Sequence, residues 1–315
     1  MRVIGVVVDF DFPFILHLSS FILMNIPDPK VLARVDRLEL EARQVVEGYL
    51  SGRHRSPRHG FAVEFAQHRE YAPGDDIKHI DWKVYGRTER FHLKQYEQET
   101  NLVAWLLVDA SESMSYGSGE RTKYDLACGA AAAMAYLVLS QTDSVGVATL
   151  AGESRGYLRP SGQITQLREA CRVMAEGPFT GPAALGKVLN ELAGRTGRRG
   201  IAFVFSDLLD DVPDILAGLQ HLRYQKHEVV LFHTLDAAEI DFNFRNTTLF
   251  RGLEGLPEML TDPPGIRDSY LKALNDHIAA IEAGCRGMEI DYVRLRTDAD
   301  LGHDLASYLQ KRHAR

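Results

Sequence analysis

The chain has 315 residues, 45% hydrophobic and 25% charged, a balance suited to one large soluble domain or to a main domain with an added region. A formal net charge of -7 argues against general attraction to nucleic acid, which needs basic patches; the densest basic stretch, Arg53 to His59, is short and soon followed by acidic residues. Cys128, Cys171 and Cys285 are odd in number and far apart, so buried free thiols in a reducing compartment are expected rather than disulfides or a paired metal motif.

Residues 1–27 stand apart from the rest. They are apolar but interrupted by Asp9, Asp11, Pro13 and His17, and their longest charge-free run is too short to span a bilayer. With no small-residue cleavage site and no strong basic lead, no signal peptide is expected, and the chain is read as cytoplasmic. Val6 to Asp11 mimics the strand and Asp-x-Asp start of haloacid-dehalogenase phosphatases, but Pro13 stands where Thr or Val is usual. Met24 is an alternative start.

Residues 28–100 form a second region. Apolar positions Val31, Leu32, Val35, Leu38, Leu40, Val45, Val46 and Leu50 recur at helical spacing, and Gly52 marks a stop. Strand-like alternation follows over 62–67 and again over 91–96, with the turn Pro73-Gly74-Asp75-Asp76 between them. Trp82 is expected to anchor a core, and Asp75, Asp76, Asp81, Lys83, Arg87 and Lys94 to form a solvated ion-pair face. The alternative is a partner-docking surface built on this zone, with Arg69 and Arg87 contacting an acidic partner.

Residues 101–315 alternate strands and helices. Strands are expected over 102–108, 145–150, 201–205, 229–233 and 290–295, with a small strand pair over 247–260 turning near Gly255. Helices are expected over 122–140, opened by a Thr122-x-x-Asp125 capping box, and over 163–175, 183–193, 213–224, 269–283 and 298–311, with Gly284 as a stop. The alanine-rich stretch from Ala127 to Ala133 lets its helix lie close to a sheet. Such alternation implies an α/β fold with a doubly wound, mostly parallel sheet, preceded by a helix and a small β-rich extension.

In such sheets ligands bind beyond the carboxyl ends of the strands. Asp109-Ala110-Ser111-Glu112-Ser113 follows the first buried strand, and Ser206-Asp207 follows the strand over 201–205. The Asp-x-Ser-x-Ser spacing brings a carboxylate and two hydroxyls into one tight turn. A hard cation such as Mg²⁺ takes oxygen ligands in near-octahedral array and keeps some waters. Mostly neutral direct ligands leave the ion seeking an external anionic oxygen. Thr180, in Pro178-Phe179-Thr180-Gly181-Pro182, adds a third segment. The plain alternative is that Asp109, Ser111 and Ser113 only cap the next helix.

LLVDASESM, FTGPAAL and FVFSD resemble the three segments of the metal-ion-dependent adhesion site of von Willebrand factor A domains. The resemblance implies that Ser111, Ser113 and Thr180 touch an Mg²⁺ or Mn²⁺ ion directly, with Asp109 and Asp207 acting largely through water. One departure is that Pro178-Phe179 stands where Gly-Gly often precedes the threonine. HREYAPGDDIKHIDWKVYGRTERFHLKQYEQET resembles the signature of the bacterial family named domain of unknown function 58, which directly precedes the Asp-x-Ser-x-Ser strand there as here. Relatives in that family are often encoded beside MoxR-type AAA+ ATPases. The resemblance therefore implies a non-enzymatic adaptor or co-chaperone that binds an acidic residue of such an ATPase.

The competing class is a metal-dependent hydrolase or phosphatase. Ser118 lies between Gly117 and Gly119, which is not the Gly-x-Ser-x-Gly spacing of a nucleophile elbow, and His-Glu-x-x-His, a P-loop and a dinucleotide fingerprint are absent from the sequence. Among the 12 histidines, His79, His233 and His303 have no ligand spacing. A third reading is a scaffold whose metal site is vestigial.

Overall fold

The computed structural model describes residues 29–52, 65–70, 82–88, 90–96, 102–180, 184–197, 199–250 and 258–313. The central sheet is built from β3 (Val103–Asp109), β4 (Ser144–Leu150), β5 (Ser154–Ser161), β6 (Gly200–Ser206), β7 (His227–Leu235) and β10 (Asp291–Arg296). Their order is β10-β7-β6-β3-β4-β5, and every pairing is parallel except β4 with β5. Two small antiparallel pairs lie outside it: β1 (Phe65–Glu70) with β2 (His92–Tyr96), and β8 (Thr248–Phe250) with β9 (Met259–Thr261). The α/β, mostly parallel expectation is met. The antiparallel edge β5 had no counterpart in the sequence reading.

β3 shows why a doubly buried strand reads as one apolar run. Ala104, Leu106 and Val108 enter the core on one face of the sheet, while Trp105 and Leu107 enter the core on the other. The first core is shared with α1 (Pro29–Gly52), α3 (Lys123–Ser140), α4 (Gln166–Ala175) and α9 (Leu301–His313). The second is covered by α5 (Leu185–Ala193), α6 (Val212–Tyr224) and α8 (Pro263–Gly287). Among the described residues no helix is long and apolar enough to cross a membrane.

α3 is buried all round rather than on one face, from Leu126 through Ala135. The sheet lies against one side and α1 against the other, with Val35, Leu38, Ala42 and Val46 forming the α1 stripe at spacings of three and four. A Cβ on Gly129 would stand 3.2 Å from both Glu41 Oε1 and Leu301 Cδ2, so the small residues of α3 admit helices as well as the sheet. The predicted capping box is present, with Thr122 Oγ1 accepting from the Asp125 amide at 3.0 Å. Cys128, Cys171 and Cys285 are free and buried.

Two expectations are corrected. Gly284 does not end its helix, because α8 continues to Gly287. A Cβ there would meet Leu216 Cδ2 at 2.5 Å, so the glycine serves close packing against α6. Trp82 is no core anchor: it opens the short helix α2 (Trp82–Thr88), is 63% exposed, and meets Tyr85 edge-on at 6.1 Å. A seven-residue helix has too little surface to enclose an indole.

The remaining surface candidates are only partly placed. Asp75, Asp76 and Asp81 lie outside the described residues, as does the Gly255 turn. Arg69 is on β1, Lys83 on α2 and Lys94 on β2, with their side chains outside the description; Arg87 is exposed in the last turn of α2. α2 and the five-residue α7 (Ala237–Asp241) were not expected as helices.

Candidate divalent-metal site at the sheet edge

The order of strands reverses beside β3. The chain leaves β3 for β4 on one side, then returns through α4 and α5 to place β6 on the other. The carboxyl ends of β3 and β6 therefore flank a switch point, where the helices on opposite faces leave a crevice. Asp109 ends β3 and Asp207 follows β6, so both carboxylates arrive at that crevice.

The β3 turn is buried and tightly bonded. Asp109 Oδ1 accepts from the Ser111 amide at 3.0 Å, and Oδ2 accepts from the Ser206 hydroxyl at 2.5 Å. Ser111 and Ser113 hydroxyl oxygens stand 3.1 Å apart, and both residues are buried. Ser111 precedes a short 3-10 helix, Glu112–Ser115, without capping it through its side chain. The two hydroxyls do not cap this helix and are instead hydrogen-bonded to each other.

Electrostatics disfavour a charged Asp109 in this crevice. Burial, followed by repulsion from Asp207, pushes the Asp109 carboxyl up to about 7 despite its hydrogen bonds from Ser206 and Ser111. Asp207 is itself buried, and its Oδ2 is 2.8 Å from the ammonium of Lys123. Lys123 is also buried and reaches Glu239 Oε1 at 2.7 Å. Burial opposes its charge, but Asp207 and Glu239 together hold the ammonium above the usual lysine range.

Backbone tethers position the other segments. The Asp207 carbonyl accepts from His233 Nε2 at 2.9 Å, which fixes the His233 tautomer and leaves Nδ1 to accept from the Tyr292 hydroxyl at 2.6 Å. Leu208, next in chain, has φ +55°, a left-handed conformation costly for a branched side chain, and its carbonyl is held by His277 at 2.8 Å. The amide of Phe179 donates to the Ala110 carbonyl at 2.8 Å, and the amide of Leu185 donates to Asp210 Oδ2 at 2.9 Å. The chain carrying Thr180 is therefore tied to the Asp109 turn on one side and to the Asp207 loop on the other. Thr180 itself is exposed. Arg34 of α1 binds the Gly177 carbonyl just before this loop.

Asp109, Ser111, Ser113 and Asp207 thus share one buried edge, with the Thr180 loop bonded beside them. Adjacent ligands of an octahedral ion at about 2.1 Å are about 3.0 Å apart, close to the Ser111–Ser113 separation. The donor set, two buried hydroxyls and two buried carboxylates, fits a small hard cation, with Lys123 already holding one Asp207 oxygen. Among the described residues no three His, Cys, Asp or Glu side chains cluster to hold a metal, so such an ion would depend on the hydroxyls.

Three residues of this edge were not named from the sequence, Lys123, Asp236 and Glu239, and Ser206 was named beside Asp207 without a role of its own. Asp236 follows β7 directly, accepts from the Ser118 amide at 3.0 Å and the Thr297 hydroxyl at 2.7 Å, and caps α7. The strand-end criterion would have found it had the strand been run to Leu235 instead of His233.

A family model described as protein of unknown function DUF58 matches residues 67–278. The uncharacterized proteins Rv1480 of Mycobacterium tuberculosis and Mb1516 of Mycobacterium bovis are each 30% identical over 305 residues, 95% of this chain and 95% of theirs. Among solved structures, the conserved hypothetical protein BatB from Bacteroides thetaiotaomicron aligns with a TM-score of 0.42 at 12% identity, over 68% of this chain and all of its own. The VWA domain of SpRpn10 aligns with a TM-score of 0.39 at 16% identity, over 66% of this chain and 95% of its own.

Proposed function

Because the chain belongs to the DUF58 family of proteins of unknown function, we propose that it is a metal-dependent protein-interaction module rather than an enzyme. Ser111, Ser113 and Thr180 hold one Mg²⁺ or Mn²⁺ ion, with Asp109 and Asp207 behind them. An Asp or Glu of a partner protein fills the remaining coordination position. The observation that carries this reading is the buried pair of mutually hydrogen-bonded hydroxyls beside Asp109 at the switch point, whose 3.1 Å separation also matches that of adjacent ligands of an octahedral ion.

Lys123 supports the division of roles. Its ammonium holds Asp207 Oδ2, which favours a role for that carboxylate through water rather than by direct ligation. The ion then keeps mostly neutral ligands and a strong demand for one anionic oxygen. The partner proposed, on the family resemblance, is a MoxR-type AAA+ ATPase, for which the protein acts as a cytoplasmic adaptor.

Thermal unfolding of the full chain, with and without Mg²⁺, tests the site. A ligand at about 100 times its Kd stabilises by about 2.7 kcal/mol. The thermal midpoint should rise by several degrees in millimolar Mg²⁺, fall back in EDTA, and stay unmoved by Mg²⁺ in Ser111→Ala. An unchanged midpoint in the wild-type chain would refute the metal site.

A further inference from the structure

A groove of about 700 Å³ opens directly beside the hydroxyl turn. Its floor is polar, formed by Ser113, Lys123 and Glu239, and its walls are apolar, with Phe244, Phe250 and Tyr270 prominent. The aromatic side chains brace one another: Phe242 stacks on Tyr270 at 4.4 Å, and Phe244 stands edge-on to Phe250 at 5.3 Å. At the lip, Leu249 is 47% and Met259 54% exposed. An apolar trough contiguous with a polar site is a recognition surface, since water gains nothing from its walls.

Two further observations define what fits. β8 and β9 form one wall, and each pairs in a sheet only with the other among the described residues. Their outer edges offer N–H and C=O groups to an extended backbone, which a lipid tail could not use. The floor sets the charge. Counting each carboxylate as ionised, Asp109, Asp207 and Glu239 outnumber Lys123 and repel an anion. One divalent ion at the turn would cancel that excess and give a carboxylate a direct ligand position.

We infer that the groove receives an extended segment of a partner protein in which an Asp or Glu, bound at the ion, is flanked within two residues by bulky apolar side chains. This rests on the metal-dependent reading above and adds the sequence that the partner must carry. The acidic side chain anchors at Ser113, and its neighbours lie along Phe244, Phe250 and Tyr270.

The test is selection of a random twelve-residue peptide library, displayed on phage, against the full chain in Mg²⁺ with elution by EDTA. Recovered peptides should carry an acidic residue flanked by Phe, Tyr, Trp, Leu or Met. A synthetic peptide of the commonest sequence should bind the Leu249→Ser, Met259→Ser chain about ten-fold more weakly, with the variant still folded and its thermal midpoint lowered by only a few degrees because both side chains are about half exposed. Acidic peptides without apolar flanks, or equal affinity for the double variant, overturn the groove while the Mg²⁺-dependent midpoint preserves the metal site. Apolar-flanked peptides that stay bound in EDTA overturn the inference through its metal-dependent premise. An empty selection, or dodecanoate binding in place of any peptide, overturns the inference as well.

Discussion

Lys123 is the first residue of α3, where a cation opposes the helix dipole and a lysine ordinarily reaches into water. Here it is buried between Asp207 and Glu239, and those two carboxylates offset both costs. Removing one partner of a buried ion pair leaves the other charged and unsolvated, at about 3–5 kcal/mol. Lys123→Met should therefore lower stability by about that amount in urea unfolding, although methionine fills the same volume. A loss below about 1 kcal/mol would mean that the ammonium is not compensating buried charge. The sequence could not show this lysine. Its chemistry depends on Asp207, 84 positions away, and a charged residue in a first helical turn carries no local mark of burial. Asp109, Ser111, Ser113 and Asp207 were legible for the opposite reason, since polar residues abutting apolar strands break a visible pattern.

Elements with strong periodicity were also legible: β3, β4, β6, β7, α3, α4, α5, α6 and β10 lie within a few residues of where the pattern put them. The edge strand β5, SRGYLRPS, was missed because it is half exposed, and its polar residues and Pro160 dilute any alternation. Glycines were the least readable, because a close approach looks like a stop. At the α5–α6 crossing a Cβ on Gly186 would lie 2.3 Å from the Asp214 carbonyl oxygen, and one on Gly218 would lie 2.9 Å from the Gly186 carbonyl oxygen. These are backbone atoms and cannot swing aside. Alanine gains about 1 kcal/mol over glycine in a helix, whereas overpacking costs about 1–3 kcal/mol. The net is about 0–2 kcal/mol, and the 2.3 Å approach to backbone puts Gly186→Ala at the destabilising end, about 2 kcal/mol, readable as a lower denaturation midpoint. A stabilised variant would show that the two helices stand further apart.

At the scale of the whole molecule, α1 links the buried core to the site. Its stripe of Val35, Leu38, Ala42 and Val46 seals the outer face of α3, and burial of each Val or Leu is worth about 1.5–3 kcal/mol. From the same helix Arg34 reaches Asp125 at 3.1 Å, lies over the Tyr124 ring and holds the Gly177 carbonyl that leads into the Thr180 loop. Undocking α1 should therefore be felt in two places at once. Leu38 is fully buried, and an aspartate there would be an unpaired charge between two helices. Leu38→Asp is expected to cost about 3–5 kcal/mol of stability, a large share of the 5–15 kcal/mol typical of a domain. Where the variant still folds, its Mg²⁺-induced rise in thermal midpoint should shrink, because the Gly177 carbonyl has lost its anchor. If α1 were an appendage, the same substitution would leave the main unfolding transition within about 1 kcal/mol of the wild type and the Mg²⁺ response intact, and urea unfolding with and without Mg²⁺ separates the two outcomes.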